Sequence, residues 1–377
     1  MVPSSQVTVV VPAYNVAEYI GECLASVLAN GGRQCAILVI DDGSTDDTAA
    51  VAARALRGVV RAQVVTVPNG GQAAARNIGL DRCETPFVTF VDADDRIAPK
   101  GLSLLFAAGD DDVDIVFSNR DRFADASRQR RPQVFFRDQR RVSILSIRWR
   151  AKVMAVHGKL FRTAFLRDAG IRFPDGIVWE DIPFSYRTYL AAGLVSATAA
   201  TTYDWRRRAG DNLSTMQKLL TPHCLNSRFE QIRQTIRLGW TEEGKRMFGK
   251  GWVQKEFGSR LRMHITSMRR SSDEEAVRRC FAAIREFAYP YRRKILRRLD
   301  PAAAAEYRRI FDGDVDYFLT RAREAAAAAD AAAVEARRKQ AEAQRHELTS
   351  RPQKWQSPPG RSRWRILARV KRWLRIR

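Results

Sequence analysis

Four short apolar runs, at residues 7–11, 36–40, 64–67 and 87–91, alternate with stretches whose apolar residues recur at helical spacing, at 18–28, 46–56 and 71–80. Buried strands alternating with amphipathic helices predict βαβ units, and hence a mostly parallel sheet with helices on both faces. Ligands of such sheets bind beyond the carboxyl ends of the strands. In this chain those ends carry the unusual loops: Pro12-Ala13-Tyr14-Asn15, Asp41-Asp42-Gly43-Ser44-Thr45-Asp46, Pro68-Asn69-Gly70-Gly71-Gln72 and Asp92-Ala93-Asp94-Asp95. All four are expected to converge on one crevice.

The last of these loops is the most chemical. Two carboxylates one residue apart at the end of a buried strand suit a hard divalent cation, although solvated acids at a loop end are the ordinary reading of an isolated D-x-D. A second carboxylate pair, Glu180-Asp181, follows Trp179. It suits either acid-base chemistry or the first turn of a helix with Pro183 near its start, where acids oppose the helix dipole. Ser44 or Thr45 in the second loop equally suits a helix cap, with Asp46 and Asp47 in the first turn. No G-K-S/T phosphate loop occurs, which disfavours an ATPase.

Taken in order, these motifs resemble the GT-A-type family 2 glycosyltransferases over roughly residues 6–215. The resemblance implies a GT-A Rossmann-like α/β fold and transfer of a sugar from a nucleotide donor. Pro12 and Tyr14 match the opening motif that touches the base, and Asp42 the aspartate that accepts a hydrogen bond from it. Asn69 and Arg76 match a third donor-binding motif, with Arg76 facing a phosphate or ribose. By the same resemblance Asp92 contacts ribose or a metal-bound water, and Asp94 holds the cofactor, Mg²⁺ or Mn²⁺. Asp181 matches the general base of inverting transfer, with Glu180 as its orienting or acceptor-binding partner. Lys159 lies in His157-Gly158-Lys159-Leu160-Phe161-Arg162, similar to the family's N-K-L-F/Y-R stretch but with glycine where asparagine is usual; it is a candidate for donor or acceptor, and His157 reads as a packing residue. Arg206, Arg207 and Arg208, then Ser214 and Thr215, resemble positions that approach the diphosphate or acceptor in polymer-modifying members.

From about Thr221 the pattern turns helical. Thr221-Pro222, Ser272 with Glu275, and Asp300-Pro301 read as helix starts. The expected organisation is a catalytic domain at 1–218, a helical domain at 219–318, an Ala-rich helix at 319–349, a Pro-rich linker at 350–360 and a basic amphipathic tail at 361–377.

Charge separates these parts. The chain's formal net charge is +23; residues 1–218 hold 28 Lys and Arg against 24 Asp and Glu, and residues 219–377 hold 37 against 18. That bias suits an anionic partner of the C-terminal half: lipid, polymer or nucleic acid. Nucleic acid is the least favoured, since no binding module for it is recognisable. Five scattered cysteines without C-x-x-C spacing argue against a disulfide framework and a zinc site, and fit a reducing cytosol. Neither a signal-peptide pattern nor an apolar stretch of 18 residues is present. The expectation is a cytoplasmic protein, peripheral on the inner face of the membrane, acting on an envelope glycan or anionic polymer; a non-catalytic scaffold with the same fold is the competing reading.

The tail carries the membrane expectation. Its Ile366, Leu367, Val370, Trp373 and Leu374 fall on one helical face, with most of eight basic residues opposite. Full-length protein is expected to sediment with anionic vesicles and a chain ending at Ser350 to stay in solution; equal sedimentation of the two would remove the tail as the anchor.

Overall fold

The computed structural model describes residues 1–124, 127–129, 132–147, 154–207, 219–239 and 241–350. The tail, and Arg208, Ser214 and Thr215, lie outside the described residues.

The N-terminal half begins β1 (Val7–Ala13), α1 (Ala17–Val27), β2 (Ala36–Asp41), α2 (Thr48–Ala55), β3 (Ala62–Thr66), α3 (Gln72–Asp81), β4 (Phe87–Phe90). Each apolar run of the sequence is a strand and each intervening stretch a helix. In α1 the buried residues Ile20, Cys23, Leu24 and Val27 form one stripe, as the helical period requires. Strands β3, β2, β1 and β4 pair in that order, all parallel. Because β2 lies on one side of β1 and β4 on the other, the chain reverses its direction of travel at β1, which opens a crevice above the carboxyl ends of β1 and β4.

The sheet then becomes mixed. It continues with β5 (Arg96–Ile97), α4 (Gly101–Ala107), β6 (Ile115–Ala124), β7 (Ser127–Gln129), β8 (Gln139–Ser143), β9 (Lys159–Arg162), α5 (Thr163–Asp168), α6 (Asp181–Ala191) and β10 (Leu194–Arg206). Strand β9 inserts antiparallel between β4 and β6, while β10 runs parallel to β6 and antiparallel to β5 and β8. The parallel order expected from the alternation thus holds for the first half, and the second half adds the antiparallel members.

Both faces of the sheet are covered. Val9 and Val11 face one apolar cluster with α1 and Phe106, and Val10 faces another with Leu80, Phe90, Phe161 and Phe184.

After Leu219 the chain is helical: α7 (Pro222–Gly239), α8 (Glu242–Phe248), α9 (Trp252–Lys255), a π-helical turn (Glu256–Leu261), α10 (Arg262–Met268), α11 (Glu274–Ala288), α12 (Arg292–Arg298), α13 (Pro301–Asp312) and α14 (Val315–Ser350). The Asp300-Pro301 start is as read, with the Asp300 carboxylate accepting from Ala303 N at 2.9 Å. At α11 the cap is Asp273, accepting from Ala276 N at 2.9 Å, and not Ser272. Asp273 caps in extended backbone conformation, and Ser271 Oγ in turn accepts from its amide.

Residues 1–322 form one unit. The helical core includes Phe229, Phe257, Ile284, Tyr307, Phe318 and Leu319, so the first turns of α14 belong to it. Leu219, Met247 and Phe248 instead join the core beneath the sheet, which fastens α7 and α8 to α6. In the second unit, Arg323–Arg377, the described side chains of α14 are mostly exposed. Among the described residues no helix is long and apolar enough to cross a membrane.

The placement of α3 over β1 is tight. A Cβ at Gly79 would lie 2.3 Å from Val10 Cγ1. Valine is stiff at χ1 and sits here in a central strand, so the contact has little room to yield. Gly79→Ala would gain about 1 kcal/mol of helix propensity against about 1–3 kcal/mol of overpacking. The variant is expected to be net destabilised in denaturant unfolding.

Candidate active site

The floor of the crevice is two clamped loops. Asp42, buried at the end of β2, accepts from Gly70 N and Gly71 N with its two carboxylate oxygens, each at 2.8 Å. Asn69 Nδ2 donates to the Asp42 carbonyl at 3.0 Å. Gly71 adopts φ 88°, a left-handed value that lets its amide turn toward Asp42 at the start of α3. A second stitch joins the first two loops: Asn15 N donates to Ser44 Oγ at 2.9 Å and Thr45 N to Asn15 Oδ1 at 2.8 Å. Ser44 and Thr45 therefore bind loop to loop, and it is Asp46 that accepts from Thr48 N at the start of α2. Tyr14, in the first loop, is 49% exposed, while Pro12 is buried in β1.

Arg76 joins the two carboxylate motifs. One turn into α3 and 2% exposed, it donates from Nη2 to Asp92 Oδ1 at 2.6 Å and from Nη1 to Glu180 Oε1. One guanidinium thus ties the end of β4 to the N-terminus of α6, 104 residues away in sequence for Glu180. Gln72 Nε2 adds a 3.2 Å bond to the same Asp92 oxygen.

The charges respond unequally. At Asp92 burial would raise the pKa, but the Arg76 charge and the His157 ring beside it prevail and hold the carboxyl well below the usual range. At Glu180 burial wins over Arg76, helped by neighbouring Asp181, and pushes the carboxyl up to about 7. Burial likewise raises Asp181, against the Arg76 and Arg260 charges. Asp181 is the first residue of α6. The helix-terminus reading of the pair thus holds, and the same first turn presents Asp181 beside Glu180.

The back of the acidic loop is pinned by β10. Tyr203 OH donates to Asp95 Oδ2 at 2.7 Å and accepts from Asp92 N at 3.0 Å. Arg206 N donates to Asp95 Oδ1 at 2.7 Å, and its guanidinium binds the Asp94 carbonyl and Glu22. His157 stacks on Tyr203 at 4.5 Å, with Nδ1 3.6 Å from Asp92 Oδ2 and Nε2 against Arg120. Burial, then Arg120, lowers its pKa to about 4, so the ring is neutral near pH 7. Asp92, Asp95 and His157 each present one ligand atom within 4.8 Å of one another.

The acidic loop offers carboxylates of the kind a hard divalent cation takes. Asp92 is ionised, as a ligand must be, and Asp94 is half-buried beside it. Asp95 has both oxygens committed to Tyr203 and Arg206, which makes it an anchor of the loop.

The expected basic residues differ in where they lie. Lys159 points into the core between β9 and α6, with Nζ 2.7 Å from Tyr189 OH and 3.3 Å from Ser185 Oγ, and burial drives its pKa well below the usual lysine range. Arg206 is engaged beneath the acidic loop. Arg207 is exposed, its amide bonded to Phe123 O at 2.8 Å. His157, Tyr203, Asp95, Gln72 and Arg120 were not singled out from sequence as site residues. Asp95 and Gln72 stand inside the quoted loops, and Tyr203 and His157 are an aromatic and an imidazole beside matched motifs; Arg120 had no such signal.

A strand-order reversal with polar loops above it, an aspartate pair at the end of β4 and a second acidic pair opening α6 define a GT-A-type α/β protein. Residues 8–170 match the family Glycosyl transferase family 2. Among similar proteins, Glycosyltransferase GlyG of Streptococcus pneumoniae is 26% identical over 56% of this chain and 74% of its own. Poly(ribitol-phosphate) beta-N-acetylglucosaminyltransferase TarS of Staphylococcus aureus is 27% identical over 60% of this chain and 42% of its own. Glycosyltransferase GlyA of S. pneumoniae is 35% identical over 28% of this chain and 15% of its own, so the chain spans less than half the length of two of these three relatives. A crystal structure of S. aureus TarS 1–349 in complex with UDP-GlcNAc shares the fold, with a TM-score of 0.63 at 20% identity over 84% of this chain and 90% of that one.

Removing Arg76 would leave two buried carboxylates without their counter-charge. Arg76→Met is expected to lose about 3–5 kcal/mol of stability in denaturant unfolding. Arg76→Lys, whose single ammonium cannot reproduce a two-pronged bridge, should recover only part of it.

Proposed function

We propose that the protein is a metal-dependent, inverting glycosyltransferase that moves a sugar from a nucleotide donor, a UDP-sugar, to a hydroxyl of an envelope glycan or anionic polymer of the teichoic-acid kind. The observation that carries this reading is the Arg76 bridge, which ties an ionised Asp92 to Glu180, the residue next to Asp181, whose own pKa is raised. The likeness to TarS, which was crystallised with UDP-GlcNAc, supports the choice of donor and polymer class.

In this reading Tyr14 and the Asp42 loop receive the base, and Asn69 acts by fixing that loop. Asp92 receives the ribose side of the donor. Asp94, with Asp92 directly or through water, would hold Mg²⁺ or Mn²⁺. When bound, the ion would supply positive charge to the departing diphosphate. Asp181 takes the proton of the acceptor hydroxyl as its oxygen attacks the anomeric carbon, and its raised pKa makes it a better base for that transfer. Glu180, anchored to Arg76, orients the pair. The basic tail would hold the enzyme against the anionic inner face of the membrane.

Metal-dependent release of UDP from a panel of UDP-sugars tests the reading. Asp92→Asn and Asp94→Asn are expected to abolish both donor hydrolysis and transfer. Asp181→Asn should abolish transfer and keep donor binding, and loss of binding in that variant would count against its role. Because Asp181 acts deprotonated with a raised pKa, wild-type transfer should fall on acidification at a pH above the ordinary aspartate value of about 3.9.

A further inference from the structure

One cation of the crevice is held without an acid. Arg120 stands on β6 opposite Tyr203 in the parallel ladder with β10, beside the tyrosine whose hydroxyl bonds Asp95 and the Asp92 amide. Its Nη1 donates to Nε2 of His157. A guanidinium has only donors to offer, so Nε2 accepts and the neutral ring keeps its proton on Nδ1, 3.6 Å from Asp92 Oδ2. His157 is therefore a spacer, with the ionised Asp92 at one nitrogen and the Arg120 charge at the other.

The local backbone builds this spacer. Gly158 takes φ 69°, a left-handed value, and a Cβ there would lie 3.2 Å from Ser118 Oγ on β6. Ser118 Oγ closes the turn by donating to the Gly158 carbonyl at 2.7 Å. The turn lays His157 over Tyr203, with the ring planes within 12° of parallel. The imidazole that receives Arg120 is thus fixed on two sides by the sheet.

Arg120 lacks what neighbouring arginines have. Arg76 pairs with Asp92 and Glu180, Arg206 with Glu22, and Arg162 with Asp114. Among the described residues no carboxylate pairs with Arg120, which is half-buried. Burial disfavours its charge, and the more distant Asp181 and Asp95 offset that only in part. A partly desolvated cation bonded to a neutral ring is costly until an anion is brought to it. The planar fork of a guanidinium matches a phosphate, to which it can give two parallel bonds.

We infer that Arg120, steered by His157, is a binding residue for a phosphate group entering the crevice beside the Asp92–Asp94 loop. The inference rests on the reading of the crevice as a transferase site and fills a contact that reading leaves unassigned. Two sources share the chemistry: the diphosphate of the donor and the phosphodiester of an anionic acceptor. A neutral glycan acceptor would supply only the first.

Calorimetric titration of the full chain with uridine, UDP and a short glycerol phosphate oligomer, each with Mg²⁺ present, tests the inference. Arg120→Gln is expected to weaken a phosphate-bearing ligand about 10–100-fold and to leave uridine at wild-type affinity. Loss confined to UDP assigns the donor diphosphate, and loss confined to the oligomer assigns the acceptor phosphodiester. Loss of both means that either phosphate reaches the guanidinium. Arg120→Lys, which keeps the charge and gives up the fork, should fall between wild type and Arg120→Gln. His157→Phe preserves the stack on Tyr203 but removes the acceptor, so it should weaken the same ligand, and should add nothing further in the Arg120→Gln background.

UDP and the oligomer both bound as in wild type by Arg120→Gln overturn the inference. Uridine weakened as much as UDP overturns it too, because a distorted crevice and not a lost phosphate contact then explains the change. If Arg120→Gln yields no folded protein, Arg120→Lys decides, by binding a phosphate ligand more weakly against unchanged uridine or by matching wild type throughout. Full additivity of His157→Phe and Arg120→Gln removes His157 as the steering residue. Wild-type protein that binds neither UDP nor the oligomer removes the transferase reading together with this one, whereas wild-type binding that Arg120→Gln leaves intact removes Arg120 alone.

Discussion

The site depends on a single shared cation. Arg76 is buried between Asp92 and Glu180, and each of the three would be costly to bury without the others. The result is unequal by necessity: one guanidinium cannot neutralise two carboxylates with Asp181 adjoining. Asp92, beside the additional donors Gln72 and His157, stays ionised, and the surplus negative charge shifts the inner pair upward. One acid with a lowered pKa and a pair with raised ones are thereby produced around the same charge by their different neighbours.

Much of this was legible along the chain, because the first half of the site is built from loops that each follow a strand in sequence. Asp42, Asn69, Arg76 and Asp92 come to one crevice simply because parallel strands put their ends together. The acid pair at Glu180-Asp181 could be read as motif or as helix start, and the structure shows it at a helix start. What was not legible depends on long-range pairing. Arg76 was expected to meet a phosphate or ribose; what the sequence does not show is that it also pairs with two side chains, one of them at the N-terminus of a helix beyond β9. Asp95 looked like a third member of an acidic run, but its role as anchor exists only because β10 brings Tyr203 and Arg206 beneath it. Lys159, inside a matched motif, faces inward because β9 is enclosed between β4 and β6 with α6 packed over it.

The helical region is not an appendage to this arrangement. Leu219, Met247 and Phe248 complete the core under α6, and Glu256 in the π-helical turn grips the same helix through Tyr186. The element carrying Asp181 is thus held on one side by the sheet and on the other by helices whose sequence shows only capping signals and apolar periodicity. Local patterns reveal that such helices exist; they do not reveal which of their polar residues turn inward.

The Asp42 clamp has a consequence for recognition. With both carboxylate oxygens bonded to Gly70 and Gly71, and Asn15 sewn to Ser44 and Thr45, the loops that would meet a nucleoside are already in one conformation. The conformational entropy of ordering them was lost when the chain folded, not when a ligand arrives. Discrimination among nucleosides then falls to rigid backbone outlines, so a change of preference would come more readily from remodelling a whole loop than from exchanging one exposed side chain.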